Sequence, residues 1–252
     1  MSFSSDMKII YHMLFTRGRG KDHAERLDNF YSGQAEGYDD FRKRLLKGRQ
    51  EMMQAIPLPE NGIWVDMGGG TGANLEFIAE KIPELKRVYL VDLAVSLLKI
   101  AENRFLKHEW NHVKALEGDA TIFTPEEGFA DVVTFSYSLT MIPDWFSAID
   151  NALRILKPGG IIGVVDFYVS RKWTPEGFRR HGWIRRNYMP IHFGTDNVFL
   201  SPDHVPYLHK HFEPVEFQEH LAKIPYFPLM KAPYYIFVGK KPATKQNEKA
   251  EE

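Results

Sequence analysis

A chain of 252 residues with 44% apolar and 26% charged side chains has the balance of an ordinary globular domain, large enough for a substantial core. The absence of cysteine excludes disulfides, thiolate metal sites and thiol nucleophiles, and a net charge of −1 gives no global pull toward nucleic acid or an anionic surface. No apolar run approaches the ~20 residues that cross a bilayer, and there is no signal-peptide core or N-x-S/T acceptor. The sequence therefore reads as a cytoplasmic protein.

Residues 1–30 mix apolar groups (Ile9, Ile10, Met13, Leu14, Phe15) with Arg17, Arg19 and Lys21, and read as a helix packed on the domain, with a membrane-surface segment as the alternative. Tyr31 and Tyr38 follow within a segment running to Phe41, and Arg42 to Gln54 reads as a helix with a basic face, ended by Pro57 and Pro59. Residues 1–59 are thus expected to form N-terminal helices, with the main domain over 60–240 and a disordered charged tail over 241–252.

The chain is organised around Ile63-Trp64-Val65-Asp66-Met67-Gly68-Gly69-Gly70-Thr71-Gly72. Ile63 to Val65 reads as a buried strand, Asp66 marks its carboxyl end, and Ala73 to Ile82 places Leu75, Ile78, Ala79 and Ile82 on one helical face. Glycines let backbone approach a ligand closely, and a following helix would turn its N–H groups into the loop. Strand, acid, glycine loop and helix make a nucleotide-type cofactor site. Gly68, Gly70 and Ala73 also satisfy a loose dinucleotide pattern, but a carboxylate two residues before the first glycine suits a sulfonium and an ammonium better than a pyrophosphate.

Arg87 to Asp92 is a second strand, again ending in an acid, where a doubly wound fold presents a carboxylate to ribose hydroxyls. Leu97, Leu98, Ala101 and Phe105 give the next helix its buried face, and Val113 to Leu116 is the third strand, followed by Asp119 and Ala120. From the residue alone, Asp119 is as well explained by a turn as by a ligand. Asp131 to Phe135 is the fourth strand, and Ser136 to Met141 leave its carboxyl end, where ligands sit in an open α/β sheet. Asp144 to Leu156 reads as a helix with Phe146, Ile149, Leu153 and Leu156 in register. Lys157-Pro158-Gly159-Gly160 is expected to cap it and reverse the chain into a fifth strand, Ile161 to Phe167.

Residues 168–203 are less regular, and Arg171 to Arg186 carries six Lys/Arg and one Glu, interleaved with Trp173, Phe178 and Trp183. That composition suits a peripheral membrane surface, could serve nucleic acid, and is equally that of a solvated substrate lid. Pro202 to His211 reads as a short helix; Val215 to Phe217 and Pro233 to Val238 are the last strands, separated by a longer connection. The histidines have no metal-ligand spacing, so no metal is expected, and a G-x-S-x-G elbow is absent.

Asp66-x-Gly68-x-Gly70-x-Gly72 together with Leu156-Lys157-Pro158-Gly159-Gly160 resembles class I S-adenosylmethionine-dependent methyltransferases over roughly residues 60–240. The resemblance implies a doubly wound α/β fold with a seven-stranded, mostly parallel sheet, an antiparallel last hairpin and helices on both faces. It implies cofactor contacts from Tyr31, Asp66, Gly68, Gly70, Thr71, Gly72, Asn74, Asp92, Leu93, Asp119, Ala120 and Ser136, with residues 30–41 as a lid and Asp119 on the adenine amino group. More closely, residues 30–49, 65–78 and 135–145 look like the N-methyltransferase of betaine-lipid synthesis. That subfamily implies a lipid amine substrate, diacylglyceryl homoserine supplied by an aminocarboxypropyl transferase, with peripheral membrane contact and no nucleic acid. Phosphatidylethanolamine-type and quinone methyltransferases, and a non-catalytic binding module, are the other readings. Methyl transfer to an amine needs mainly positioning and a neutral nitrogen; Tyr38 and Tyr137 are the expected catalytic side chains.

Overall fold

The computed structural model describes residues 21, 24–25, 28–29, 45–195, 197–224 and 227–243, with backbone alone for 227–230. Tyr31, Tyr38, the expected N-terminal helix and lid, and the tail from residue 244 lie outside the described residues.

Seven strands form one sheet: β1 (Ile63–Met67), β2 (Arg87–Asp92), β3 (Val113–Glu117), β4 (Ala130–Ser136), β5 (Leu156–Phe167), β6 (Glu213–Ile224) and β7 (Phe227–Lys240). The order is β3-β2-β1-β4-β5-β7-β6, parallel through β5 and antiparallel at β5–β7 and β7–β6. The expected sheet, antiparallel hairpin included, is the one observed. β1 and β4 are fully buried along almost their whole length because apolar layers cover both faces. One face packs against α1 (Arg49–Ala55), α2 (Val95–Lys107) and α4 (Trp183–Gly194); the other packs against α3 (Trp145–Ile155) and α5 (His204–His211). The strand order reverses between β1 and β4, which opens a crevice outside their carboxyl ends.

Several local expectations are corrected. No α-helix follows the glycine loop. Leu75–Ile78 and Ile82–Glu84 are short 3₁₀ turns, with Leu75 donating to the Gly72 carbonyl and Lys81 to that of Ile78, and Pro83 sits inside the second turn. The apolar residues Leu75, Ile78 and Ile82 are nonetheless buried as their spacing predicts. Within the stretch expected to be helical from Arg42, Leu45 is helical, Leu46 to Gly48 are not, and α1 begins at Arg49 after Gly48 in the left-handed region; Arg49 is buried rather than part of a basic face. α2 buries its four predicted residues. α3 is rotated from the expected register: Ala148, Ile149, Ala152 and Ile155 are inside, whereas Phe146 is exposed and stacks on Trp145.

Lys157 to Gly160 does not cap a helix. Leu156 already pairs with Ala130, the ladder shifts register between Ala130 and Val132, and Gly159 takes a φ of 79° there. The segment is an irregular start to β5, tied down by Gly159 N–H on the Lys241 carbonyl and Lys157 Nζ on Asp131. The longer connection expected before the last strand is itself strand, since β6 and β7 extend until Ile224 faces Phe227. Within the irregular stretch 168–203 the chain builds α4, whose Met189 and Phe193 enter the core.

Candidate active site

The glycine loop is pinned to the second strand, with the amides of Gly68 and Gly69 donating to the Val91 carbonyl at 2.7 and 3.3 Å. Gly68, Gly70 and Gly72 have φ of 67°, 59° and 71°, a region costly for residues with a Cβ. Crowding adds to this: a Cβ on Gly68 would lie 2.5 Å from that of Ser138, and one on Gly72 2.8 Å from the Phe105 ring. Beneath the loop, the fully buried Asp66 accepts the Thr134 hydroxyl at 2.6 Å, and that same oxygen of Thr134 accepts the Trp64 indole N–H at 2.9 Å. A Cβ on Gly69 would come within 2.8 Å of the second Asp66 carboxylate oxygen, so acid and loop are in close packing.

Above the sheet lies a cleft of about 390 Å³. Gly68, Gly70, Asp92, Leu93, Asp119, Ala120 and Tyr137 are among the residues that line it. These seven were all expected at the site. Asp92 accepts the amides of Gly70 and Ala94 at 2.8 and 2.9 Å; Asp119 accepts both the amide and the hydroxyl of Thr121 at 2.8 Å, which makes it a turn-forming residue as well as a lining one. Thr71, Gly72 and Asn74 sit behind the loop: Arg104 reaches the Thr71 carbonyl, Gly72 packs on Phe105 and Asn74 accepts from Arg49 at 3.1 Å. Asp66 and Ser136 are buried beneath the loop, and the Ser136 hydroxyl has no hydrogen-bond partner among the described residues.

Tyr137 is held in a strained conformation. Its φ is 55°, left-handed for a bulky residue, at a cost of about 1–3 kcal/mol. Three contacts hold it there: its amide on the Val165 carbonyl at 2.8 Å, its hydroxyl on the Lys47 carbonyl at 2.6 Å, and its ring against Phe167 at 4.6 Å. Burial, with the Asp166 carboxyl nearby, raises its pKa well above that of an ordinary tyrosine. The phenol therefore stays neutral, its proton given to the backbone, and a lone pair and a ring face are what it offers an acceptor.

Ser138 and Met141, on the loop expected at the ligand end of the fourth strand, also line the cleft, whereas sequence reasoning missed Ile142, Pro143 and Asp144. The signal was the Pro143-Asp144 pair before α3, where Asp144 caps the helix by accepting from Ser147. It also missed Asp166, fully buried on β5, which accepts the Thr140 hydroxyl at 2.7 Å, the Thr140 amide at 3.1 Å and its neighbour Phe167 N–H at 2.7 Å. Burial pushes its pKa up to about 7 against these hydrogen bonds. Asp166 thereby ties the loop after β4 to β5.

A model of a methyltransferase domain matches residues 35–211. The chain belongs to the methyltransferase family. Among similar proteins are the demethylmenaquinone methyltransferase of Lactococcus lactis subsp. lactis, 23% identical over 159 residues (61% of this chain, 63% of that protein), and the ubiquinone/menaquinone biosynthesis C-methyltransferase of Ectopseudomonas mendocina, 27% identical over 174 residues (67% of each). This methyltransferase thus spans less than two thirds of the length of the first of these. Its fold matches the phosphoethanolamine N-methyltransferase 2 of Haemonchus contortus in complex with S-adenosyl-L-methionine, with a TM-score of 0.63 at 16% identity, covering 88% of this chain and 60% of that one.

The cofactor of this methyltransferase fold is S-adenosylmethionine, and the residues present fit it. Glycines at 68 and 70 leave bare backbone along the cleft, Asp92 and Asp119 offer carboxylates to hydroxyl and amino groups, and Val91, Leu93, Leu97 and Ala120 supply apolar surface for a base. With only 3₁₀ turns behind the loop there is no long helix to favour a pyrophosphate.

Proposed function

We propose that this methyltransferase acts on a lipid-soluble acceptor, and that the acceptor is a ring carbon of a demethylated quinol. The observation that carries the reading is the lining of the cleft, where Tyr137, Met141, Ile142 and Pro143 contribute apolar surface and no lysine, arginine or histidine takes part among the described residues. Such a lining suits an uncharged ring and offers nothing to a phosphate-bearing acceptor. The names of these relatives, a demethylmenaquinone methyltransferase and a ubiquinone/menaquinone biosynthesis C-methyltransferase, support the same acceptor.

S-adenosylmethionine supplies an already activated methyl group, so the protein's work is alignment and exclusion of water. Asp92 and the glycine loop hold one end of the cleft, and the Tyr137–Phe167 pair and the loop tied to Asp166 shape the other. The acceptor must shed a proton as the new bond forms, and neutral Tyr137 can orient it through a lone pair without taking that proton.

A second reading is N-methylation of diacylglyceryl homoserine. It is favoured by the resemblance of residues 30–49 and 135–145, and by a lining that carries Asp92, Asp119 and Asp144, acids that attract an ammonium. Tyr38 remains a proposed catalytic residue under either reading. Incubation with methyl-labelled cofactor and each acceptor in detergent, followed by mass spectrometry, separates them. A quinol gains one methyl group, and the amine gains up to three in steps. Label in neither acceptor would overturn both.

A further inference from the structure

We infer that the outward face of α4 is a docking surface for an anionic bilayer. α4 is apolar on two sides. Met189 and Phe193 point into the core, whereas Ile184, Tyr188 and Ile191, at the i, i+4, i+7 positions of a single stripe, are 68%, 50% and 70% exposed. Trp183 at the helix start and Trp173 before it are 71% and 72% exposed. Leaving such a set exposed to water is what soluble surfaces avoid, and indoles beside aliphatic side chains are the composition of an interfacial anchor.

The charge around the stripe selects the occupant. Lys172 and Arg180 lie over the Trp173 ring at 5.2 and 5.4 Å, Arg179 is exposed beside them, and no acidic residue occurs from Gly177 to Thr195. Arg171 is spent on Asp203 at 2.6 Å and is not counted. A second copy of the chain on a two-fold axis would bring these cations against one another. Nucleic acid would gain from the charges but not from Ile184 and Ile191. An anionic lipid surface gains from both.

Position supports the same conclusion. On the inner side of α4 the Phe193 ring meets Phe167 at 5.1 Å, and Phe167 meets Tyr137, which lines the cleft. Three rings therefore separate the proposed bilayer face from the wall where an acceptor would sit. The inference rests on the proposed lipid-soluble acceptor for its purpose, though not for its physical grounds.

The test is co-sedimentation of the full chain with vesicles of phosphatidylcholine alone or mixed with phosphatidylglycerol, at low and high salt. Wild type is expected on the anionic vesicles at low salt and largely in the supernatant otherwise. Ile184→Glu/Ile191→Glu and Lys172→Glu/Arg180→Glu should each lower binding roughly tenfold or more, the scale set by basic residues and buried apolar groups at a charged interface. S-adenosylmethionine affinity, read by calorimetry, should not change, which shows that the variants are folded. Methylation of detergent-dispersed acceptor should survive in both variants while methylation of vesicle-held acceptor falls. Failure to bind anionic vesicles, binding that ignores both variants, or a wild-type dimer dispersed by Ile184→Glu/Ile191→Glu would overturn the docking surface. Vesicle binding without turnover of either lipid acceptor would overturn the acceptor assignment and leave the surface standing.

Discussion

The carboxylate of Asp92 accepts the backbone amide of Gly70 at 2.8 Å. The acid at the end of the second strand thus holds the glycine loop that it was expected to serve beside. A carboxylate has about four acceptor positions, so an acid that positions the loop can also take ribose hydroxyls. Asp92→Ala removes both functions together and should weaken S-adenosylmethionine by about 1–3 kcal/mol. Calorimetry with S-adenosylmethionine, S-adenosylhomocysteine and NAD checks this; unchanged affinity in the variant, or tight NAD binding, would count against the site.

Asp66 behaves differently because it is fully buried and bonded to Thr134. Asp66→Ala leaves the Thr134 hydroxyl, and through it the Trp64 indole, with a changed set of partners in the core. The expected outcome is a loss of about 1–3 kcal/mol in unfolding free energy alongside weaker cofactor binding. Urea denaturation distinguishes the two acids, since Asp92→Ala should cost affinity more than stability.

Gly72→Ala tests the loop itself. The substitution meets a left-handed φ of 71° and the Phe105 ring at 2.8 Å. Left-handed backbone alone costs about 1–2 kcal/mol for a residue with a Cβ. A lower thermal midpoint is expected, with a larger fractional loss of cofactor affinity, because the same backbone lines up Gly70 for the cleft.

These residues also show where sequence reasoning reaches and where it stops. The strands and the places of Asp92 and Tyr137 at strand ends were legible because period, glycines and acids at strand ends are local patterns with few alternatives, whereas the seven-stranded sheet and the role of Asp119 came from the resemblance. The 3₁₀ turns after Gly72 were not, because Leu75, Ile78 and Ile82 satisfy a helical period while hydrogen bonding is decided by Pro83 and by packing. Phe146 misled for a similar reason: its register with Ile149 and Leu153 suggested the core, yet Ala148, Ile149, Ala152 and Ile155 are the apolar residues that α3 buries. Asp166 reads in sequence as one more acid near the end of a strand. Only the fold shows it enclosed, with Thr140 as its donor.

Tyr137→Phe deletes the hydroxyl that donates to the Lys47 carbonyl while keeping the ring on Phe167. A net loss of about 1 kcal/mol in stability is expected from the hydrogen bond. If the phenol oxygen orients the acceptor, turnover falls while S-adenosylmethionine affinity is nearly unchanged. Equal turnover in the two proteins would leave Tyr137 a wall residue only.

The last prediction concerns Asp166 and pH. Its carboxyl goes from 3.8 to about 7 because burial disfavours the charge more than the bonds from Thr140 and Phe167 favour it. In the fold the group keeps a proton that the unfolded chain gives up, so between those values the folded state binds more protons. Its effect on stability is therefore most favourable below the unfolded value, declines as pH rises from about 4 to about 7, and is level above that. Asp166→Asn cannot ionise, and its amide nitrogen would face the Thr140 N–H in place of an acceptor. The variant should be less stable than wild type at pH 5, where only that lost bond differs, and should show a flatter decline toward pH 8. Urea denaturation at several pH values checks both parts. The loop carrying Thr140 also carries Ser138 and Met141 of the cleft wall, so the variant should raise the KM for acceptor more than it weakens the cofactor. Parallel pH curves for the two proteins would show that Asp166 does not titrate in this range.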